Sequence, residues 1–285
     1  MDKVKYTLIT GASEGFGKTL ALECASRKMN LILVALPGPE LYYLADFIKR
    51  NYKVDVVAIE KDLAIEDNCI MVFKEVQNLH LSVNMLINNA GLGGTMLFSE
   101  GNIAFYQKQI KLNIIATTLL THLFLDMLKT NGPSYILNVG SLSSYFFLPK
   151  KQVYGATKSF IYSFSKCLRS ELHKDEISIS IICPGSMNTN ISVTQLIKTS
   201  GWLSRQAVMN PGDVALIAID GLLNKREVII PGKINKMFLL LNQFLPSIIK
   251  KLVISRQMKK IRSVTAIELN QQVTPFIEKQ NSLIA

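Results

Sequence analysis

Short, nearly continuous apolar runs alternate with longer segments of helical periodicity up to about residue 232. In the first of these segments, predicted to be a helix from Gly17 to about Lys28, apolar residues recur along one side. Apolar runs of this kind are typical of parallel strands that helices cover on both faces. The predicted strands are Tyr6–Thr10, Leu31–Ala35, Val54–Ile59, Asn84–Asn88, Ser134–Val139 and Ile177–Cys183.

This alternation predicts a doubly wound parallel α/β sheet of the Rossmann type, with three α/β/α layers. We expect one nucleotide-binding catalytic domain over residues 1–232, followed by a basic helical extension over residues 233–285. The extension is expected to pack on the same domain or on a membrane surface. Residues 186–212, which contain Ser, Thr, Asn and Gly, are predicted to form a substrate loop over the site.

The composition is that of an ordinary globular protein. Of the 285 residues, 48% are hydrophobic, which is enough for one large core. The four cysteines form no C-x-x-C pair, and the three histidines form no H-E-x-x-H motif. The chain opens without a secretory apolar region. We therefore expect a cytoplasmic protein without a bound metal.

The net charge of +11 is concentrated in one segment. Residues 225–262 carry ten Lys/Arg and one acid, Glu227, and so contribute +9. The remainder is close to neutral, which gives no indication of nucleic-acid binding. Three interpretations of residues 233–262 stay open: a lid over the substrate pocket, a basic amphipathic helix in peripheral contact with an anionic membrane, or a solvated face.

A glycine-rich turn follows the first predicted strand and opens the first helix, with the spacing G-x-x-x-G-x-G. Glycines permit a tight turn and a close backbone approach to a pyrophosphate, and the helix N-terminus supplies amide donors. The turn is therefore predicted to bind the phosphates of a dinucleotide. The candidate residues are Gly11, Ser13, Glu14, Gly15, Phe16 and Gly17.

The candidate chemistry lies in the spacing of Ser141, Tyr154 and Lys158. Tyr154 and Lys158 are four residues apart, so in a helix both side chains lie on one face. A nearby ammonium favours the phenolate, so Lys158 is expected to lower the pKa of Tyr154 from about 10. Ser141 ends an apolar run and can donate a hydrogen bond to the same carbonyl oxygen. Such a site can interconvert a carbonyl and an alcohol.

Over roughly residues 4–232 the chain resembles the short-chain dehydrogenases/reductases. It carries the T-G-x-x-x-G-x-G turn, an N-N-A-G sequence after the fourth strand, and the serine with Y-x-x-x-K, all in the family's order. Within the family it is most similar to the group of 3-oxoacyl and 17β-hydroxysteroid reductases. The resemblance implies the same fold and an NAD(P)-dependent oxidoreductase.

The resemblance also implies a role for each matching residue. Tyr154 would be the general acid in reduction and the general base in oxidation, and Lys158 would bind the nicotinamide ribose. Ser141 would polarise the substrate carbonyl, and Asn113 would hold a water that links Lys158 to solvent. The implied cofactor contacts are Asp62 and Leu63 at the adenine, Asn89, Ala90 and Gly91 beside the adenosine, and Pro184, Gly185 and Thr189 near the nicotinamide carboxamide.

The choice between NAD and NADP rests on Leu36 and Glu14. An acid after the second strand binds the ribose hydroxyl of NAD, but here that strand is followed by Leu36 and Pro37. Relatives that prefer NADP often carry cations at the positions of Leu36 and Glu14, and both cations are missing. We favour NADP because the NAD carboxylate is absent, with Ser13 and Lys18 as candidate neighbours of its phosphates.

The sequence therefore predicts hydride transfer between NAD(P)H and a ketone or secondary alcohol, a small molecule of lipid-like character. The alternative is a non-catalytic nucleotide-binding regulator or scaffold, which has no need of Tyr154 and Lys158 together. The resemblance implies a homodimer or homotetramer formed through the helices around Asn113 and Tyr154. The aromatic residues 145–147 are expected to line the pocket or the core.

Overall fold

All the strands belong to one parallel sheet in the computed structural model, which describes residues 4–188 and 207–246 and positions 249 and 255. They are β1 (Lys5–Thr10), β2 (Asn30–Ala35), β3 (Val56–Glu60), β4 (Ser82–Asn88), β5 (Ser134–Val139), β6 (Ile177–Ile182) and β7 (Val228–Ile229). Their order across the sheet is β3-β2-β1-β4-β5-β6-β7. The predicted doubly wound fold is confirmed.

The six strands predicted from apolar runs are all present, and β7 is an addition. β7 contributes two residues, which pair with Ile181 and Ile182 of β6 at the edge of the sheet. So short a run carries no periodicity that distinguishes a strand from a loop.

Helices connect the strands. They are α1 (Gly15–Ser26), α2 (Pro39–Tyr52), α3 (Glu66–Asn78), α4 (Ile103–Ile110), α5 (Thr117–Thr130), α6 (Gln152–Glu171), α7 (Pro211–Leu223) and α8 (Lys233–Phe244). Residues Lys111–Ala116 are π-helical and join α4 to α5 without a break. The continuous helix Ile103–Thr130 is long and apolar enough to span a membrane by length and composition, but α5 packs against β4 and α3 here.

Successive residues of each strand face opposite layers, as the pleat requires. Ile9 packs in the core beneath α1, α2 and α7, whereas its neighbour Leu8 packs in the core beneath α3 and α5. Both side chains are fully buried, and each such burial contributes about 1.5–3 kcal/mol. Helices cover both faces of the sheet, and for this reason the strands carry apolar side chains on both sides.

The strand order reverses between β1 and β4, which are hydrogen-bonded neighbours. Loops that leave the carboxyl ends of β1 and β4 diverge to opposite faces of the sheet, which opens a crevice between them. Crevices at such switch points are where doubly wound sheets bind their ligands. The glycine turn follows β1, and the N-N-A-G sequence begins at the end of β4.

A buried polar chain links α5 and α6 to the strands β4 and β5 next to this crevice. The Asn88 amide donates to Thr121 Oγ1 (3.0 Å) on α5 and to Asn138 Oδ1 (2.9 Å) on β5. The Asn138 amide donates in turn to Ser165 Oγ (2.9 Å) on α6. The chain fixes α5 and α6 relative to β4 and β5, because buried polar groups are costly when they lose their partners.

Candidate active site

The glycine turn depends on space that only glycine leaves. Gly11 lies at φ +63° and Gly15 at φ +56°, in the left-handed region that side chains disfavour. A Cβ on Gly17 would lie 1.9 Å from the Gly11 carbonyl oxygen and 2.5 Å from Asn89 Nδ2. The turn is therefore packed as tightly as the sequence predicts for a phosphate cradle at the N-terminus of α1.

Asn89 and Thr10 clamp this turn to the end of β4. Asn89 Nδ2 donates to the carbonyl oxygens of Thr10 (2.8 Å) and Gly11 (3.1 Å). Thr10 Oγ1 accepts from the backbone amides of Asn89 (3.0 Å) and Ala90 (2.9 Å). These bonds satisfy backbone groups that the two diverging loops leave free of the sheet.

Other residues of the turn differ in exposure. Glu14 is exposed and precedes α1 without capping it by its side chain, and Ser13 is half-buried. Phe16 is buried in the core beneath α1, so its side chain is not presented to a ligand. The contribution of Phe16 to a cofactor is therefore confined to its backbone.

An acidic residue from another strand lies near the end of β2, at a position that could not be inferred from the sequence around β2. Leu36 is 56% exposed, as a solvent-facing residue at the end of β2. Glu60, the last residue of β3, pairs in register with Ala35 and its Oε1 accepts from the Gly38 amide (2.9 Å). The Tyr42 phenol also hydrogen-bonds Glu60. The neighbouring strand thus brings a carboxylate close to the turn after β2, where Gly38 and Tyr42 already bind it.

Asp62 and Leu63 follow β3, but their side chains are already engaged. Asp62 accepts from the Ala64 amide (3.0 Å) and pairs with the Lys108 ammonium (3.2 Å). The Leu63 side chain is buried in the core that β1 and α3 share. Any contact of Leu63 with an adenine is therefore left to its backbone.

The three proposed catalytic side chains come together at the carboxyl end of β5. Ser141 lies just beyond β5, and α6 presents Tyr154 and Lys158 on one face, as their spacing predicts. A hydrogen bond from the Ser141 hydroxyl reaches the Tyr154 phenol. Lys158 Nζ lies 5.9 Å from the centroid of the Tyr154 ring and donates to the Val139 carbonyl oxygen (2.7 Å).

Burial controls the ionisation of this pair. It raises the pKa of Tyr154, and the hydrogen bond from Ser141 opposes the rise. It lowers the pKa of Lys158 to about 8. The expectation that Lys158 lowers the pKa of Tyr154 is therefore wrong for this structure, because desolvation outweighs an ammonium that is bonded to Val139.

Asn113 is buried at the centre of the π-helical segment. Its Oδ1 accepts from the Leu92 amide (2.7 Å), and its Nδ2 donates to the Leu92 carbonyl (3.1 Å) and to Thr157 Oγ1 (3.0 Å). A Cβ on Gly91 would lie 3.2 Å from Asn113 Oδ1 and 3.4 Å from Lys158 Nζ. Asn113 thus joins the loop after β4 to α6, and π-helical turns of this kind are frequent at functional sites.

The segment after β6 closes the site. Pro184 is buried, and its carbonyl oxygen accepts from the Leu142 amide (2.9 Å). A Cβ on Gly185 would lie 2.9 Å from the side-chain amide of Asn235, which α8 contributes and which sequence reasoning missed. The third residue predicted for this segment, Thr189, lies outside the described residues, as does most of the predicted loop 186–212.

A buried thiol and a buried hydroxyl lie close to the catalytic residues. The Cys183 thiol hydrogen-bonds the Tyr145 phenol and the Ser141 backbone, and burial raises the pKa of Cys183 to about 12. The thiol is therefore protonated at neutral pH. Beside it, the Ser143 hydroxyl is buried and has no hydrogen-bond partner within the part of the chain described.

The described residues hold no group of three His, Cys, Asp or Glu side chains that could bind a metal. A cavity of about 740 Å³ between α3 and α5, lined by Phe73, His122 and Met127 among others, contains none of the candidate site residues. The crevice beyond β1 and β4 fits a dinucleotide better, since its glycine cradle would be filled by any Cβ. Catalytic side chains, glycine turn and clamp all lie at the carboxyl edge of the sheet.

A sequence model of the family described as short chain dehydrogenase matches residues 5–198. The chain is 26% identical to the 3-oxoacyl-(acyl-carrier-protein) reductase of Aquifex aeolicus over 188 residues, 66% of this chain and 76% of that protein. It is 29% identical to the NADP-dependent 3-hydroxy acid dehydrogenase of Schizosaccharomyces pombe over 232 residues, 79% of this chain and 90% of that protein.

The chain is also similar to a short-chain dehydrogenase whose structure has been solved. The short-chain dehydrogenase of Sphingobium yanoikuyae in complex with NADPH superposes with a TM-score of 0.73 at 26% identity. The superposition covers 90% of this chain and 94% of that one. The similarity therefore extends through the glycine turn and the catalytic side chains into the region around α7 and α8.

Proposed function

The chain belongs to the short-chain dehydrogenase family, and from this premise we propose that it reduces a ketone, or oxidises the corresponding secondary alcohol, at Tyr154. The bound NAD(P)H supplies the hydride. The observation that carries the proposal is the convergence of Ser141, Tyr154 and Lys158 at the carboxyl edge of the sheet, beside the glycine cradle.

In this proposal Tyr154 donates the proton that the carbonyl oxygen takes up. Burial raises the pKa of Tyr154, so the phenol is protonated at neutral pH and ready to donate. The Ser141 hydroxyl hydrogen-bonds the phenol and stabilises the phenolate that the transfer leaves behind. Positioned acids of this type contribute about 10²–10⁴-fold to a rate.

Lys158 then restores the proton on Tyr154. Its pKa of about 8 puts the ammonium and amine forms close in energy at neutral pH, as a proton relay requires. The hydrogen bond to Val139 holds Nζ beside Asn113 and Gly91. Asn113 is proposed to hold the water that exchanges this proton with solvent.

For the cofactor we favour NADP(H). The Schizosaccharomyces pombe relative is NADP-dependent, and the Sphingobium yanoikuyae structure contains NADPH. Glu60 would favour NAD if its carboxylate were free, but it already accepts hydrogen bonds from Gly38 and Tyr42. The exposed Lys18, at the start of α1, is a candidate partner for the extra phosphate.

For the substrate we propose a lipid-like ketone, such as a 3-oxoacyl or steroid-like compound, in a cytoplasmic protein. The similarity to a 3-oxoacyl-(acyl-carrier-protein) reductase supports this class. The basic extension is proposed to pack on this domain at α8, where the Asn235 side-chain amide lies beside Gly185 at the edge of the site.

Calorimetric titration with NADPH and with NADH, followed by NADPH oxidation with a panel of such ketones, tests the proposal. We expect micromolar binding with NADPH the tighter ligand. Tyr154→Phe should bind NADPH within about twofold of the wild type and lose about 10²–10⁴-fold in kcat, because it removes the proton donor alone.

Two results would count against it. Equal turnover by Tyr154→Phe would remove the phenol from the mechanism. Binding without turnover of any ketone would instead support the alternative of a nucleotide-binding regulator or scaffold.

A further inference from the structure

The outer face of α8 is apolar and exposed. Met237, Leu240, Leu241 and Phe244 repeat at helical spacing, and Phe244 is 82% exposed. The opposite face is anchored, because Asn235 is buried and donates to the Pro231 carbonyl oxygen (2.9 Å). The helix thus packs on the domain by one side and leaves a stripe of large apolar side chains in solvent.

A second exposed apolar segment lies beside this helix. Asn242 Nδ2 of α8 donates to the Tyr145 carbonyl oxygen (3.2 Å), which ties α8 to the loop that follows Ser141. Phe147 is two residues beyond Tyr145 and is 88% exposed, and Leu148 is exposed as well. The sequence left open whether Phe147 lines the pocket or the core, and its exposure excludes the core.

These two exposed segments are joined by the bond from Asn242 to Tyr145 and lie beside the site, and together we call them the apolar rim. It adjoins the catalytic loop through Tyr145 and the segment after β6 through Asn235. A cluster of exposed large apolar side chains is typical of an interaction site in a folded protein. The apolar rim consists of Phe147, Leu148, Met237, Leu240, Leu241 and Phe244.

Two cations flank the apolar stripe at the start of α8. Lys233 and Lys236 are exposed on α8. Residues 228–267 contain eight Lys/Arg and no Asp or Glu in the sequence. An apolar face flanked by lysines is typical of a helix that lies in the interface of an anionic bilayer, where the lysines are attracted to the lipid headgroups.

We propose that the apolar rim docks this protein on an anionic membrane surface, with the mouth of the site facing the lipid. This inference rests on the proposed function, because it gives a lipid-like ketone a route from the bilayer to Tyr154 without passage through water. Phe147 and Phe244 enter the acyl region, and Lys233 and Lys236 contact the headgroups.

Two other roles for the apolar rim, as a lid over the substrate pocket and as a contact with a second copy of the chain, fit less well. A lid would bury its own aromatic side chains, whereas Phe147 and Phe244 are the most exposed of the large apolar residues described. A twofold contact with a second copy would bring together two patches that both carry Lys233 and Lys236, so the interface would hold four like charges in the absence of a described acid on α8. Only the anionic surface is complementary to both the charge and the apolar side chains.

The test is co-sedimentation of the full chain with vesicles of phosphatidylcholine alone and with about 30% phosphatidylserine. We expect binding to the mixed vesicles that falls as salt rises. Phe147→Ser combined with Phe244→Ser should weaken it about tenfold or more, and Lys233→Gln combined with Lys236→Gln should weaken binding to mixed vesicles alone.

A matched control exchanges two exposed apolar residues on other helices, Tyr43→Ser on α2 and Ile103→Ser on α4, and should bind as the wild type does. Circular dichroism and NADPH titration of every variant verify the fold. The proposal is overturned if the Phe147/Phe244 variant binds mixed vesicles as tightly as the wild type does. It is also overturned if the wild type binds vesicles equally with and without phosphatidylserine.

Two further outcomes separate the possible failures. A Phe147/Phe244 variant that loses oligomer mass while vesicle binding is unchanged identifies the apolar rim as a subunit interface and overturns the proposal. If the wild type reduces ketones but does not bind vesicles, the membrane proposal is overturned and the proposed function still stands.

Discussion

Burial acts in opposite directions on the two titratable residues of the site. It raises the pKa of Tyr154 and lowers that of Lys158, because both neutral forms are favoured away from water. The result at neutral pH is a phenol that holds its proton and an ammonium that gives its proton up readily. That combination suits the reduction of a carbonyl, in which the tyrosine must deliver a proton and then recover it.

Because the pKa of Lys158 is lowered to about 8, we expect the free energy of unfolding to depend on pH. The unfolded chain retains the lysine proton up to about pH 10.5 and the folded chain releases it at about 8, so the unfolded state binds more protons between these values. The free energy of unfolding of the wild type should therefore rise, relative to Lys158→Met, as pH increases through this window. We expect a relative gain of about 2 kcal/mol between pH 7 and pH 9.5.

Urea unfolding of the two proteins at several pH values measures this difference. The comparison cancels the titration of other lysines and tyrosines, which both proteins share. Parallel pH profiles would show that Lys158 titrates in the folded state as it does in the unfolded chain.

At this scale the sequence identifies which residues meet but not how they ionise. The Y-x-x-x-K spacing on one helix brings Tyr154 and Lys158 to the same face, and α6 confirms it. Their pKa values depend on burial by β5, β6 and the π-helical segment, which local spacing does not encode. Glu60 reaches Gly38 for a similar reason, since the contact crosses between strands distant in sequence.

At the scale of elements, the turn between β1 and α1 is fixed by contact with β4. Gly17→Ala places a methyl group 1.9 Å from the Gly11 carbonyl oxygen, so the turn must open. We expect at least a tenfold loss of NADPH affinity by calorimetry, together with a destabilisation of about 1–3 kcal/mol.

Gly93→Ala provides the matched control, because a Cβ at Gly93 meets no atom within 4 Å. It should bind NADPH as the wild type does. A normal affinity in Gly17→Ala would mean that the turn does not bind the cofactor phosphates.

The polar chain from α5 to α6 makes another prediction about elements. Asn138→Ala removes one partner each from the buried side chains of Asn88 and Ser165. We expect destabilisation by about 2–4 kcal/mol in urea unfolding, since each buried orphaned group costs about 1–3 kcal/mol.

Addition of Ser165→Ala to Asn138→Ala should cost less than Ser165→Ala costs alone, because the two side chains share a bond. Strictly additive losses would contradict a connected chain.

The elements themselves were largely predictable. Strands covered on both faces are apolar throughout, so β1 to β6 stand out from the helices between them. The π-helical segment around Asn113 was not predictable, because a shift in hydrogen bonding confined to six residues leaves no distinct periodicity in the pattern of apolar positions. The short β7 and the contact of Asn235 with Gly185 likewise arise from tertiary packing.

For the whole molecule, the family resemblance predicts a homodimer or homotetramer formed through the helices that carry Asn113 and Tyr154. On α6, Phe160 is partly exposed and stacks on Phe164, with ring centroids 6.1 Å apart. Phe160→Asp introduces a charge on this face, so it should convert the oligomer to the monomer mass of 31.8 kDa in light scattering.

The control is Tyr43→Asp on α2, because the Tyr43 ring is exposed on a different helix. This substitution should leave the oligomer mass unchanged. A wild type that already has the mass of one chain would rule out the assembly.

The central claim is that this fold carries hydride to a carbonyl carbon while Tyr154 supplies the proton. The most direct measurement uses NADPH with deuterium at both C4 positions of the nicotinamide, 3-oxoacyl and ketosteroid substrates, and mass spectrometry of the alcohols formed. We predict one deuterium on the carbinol carbon with the wild type, and none above background with Tyr154→Phe. Alcohol without deuterium, or a protein that binds NADPH and reduces no ketone offered, would contradict the claim.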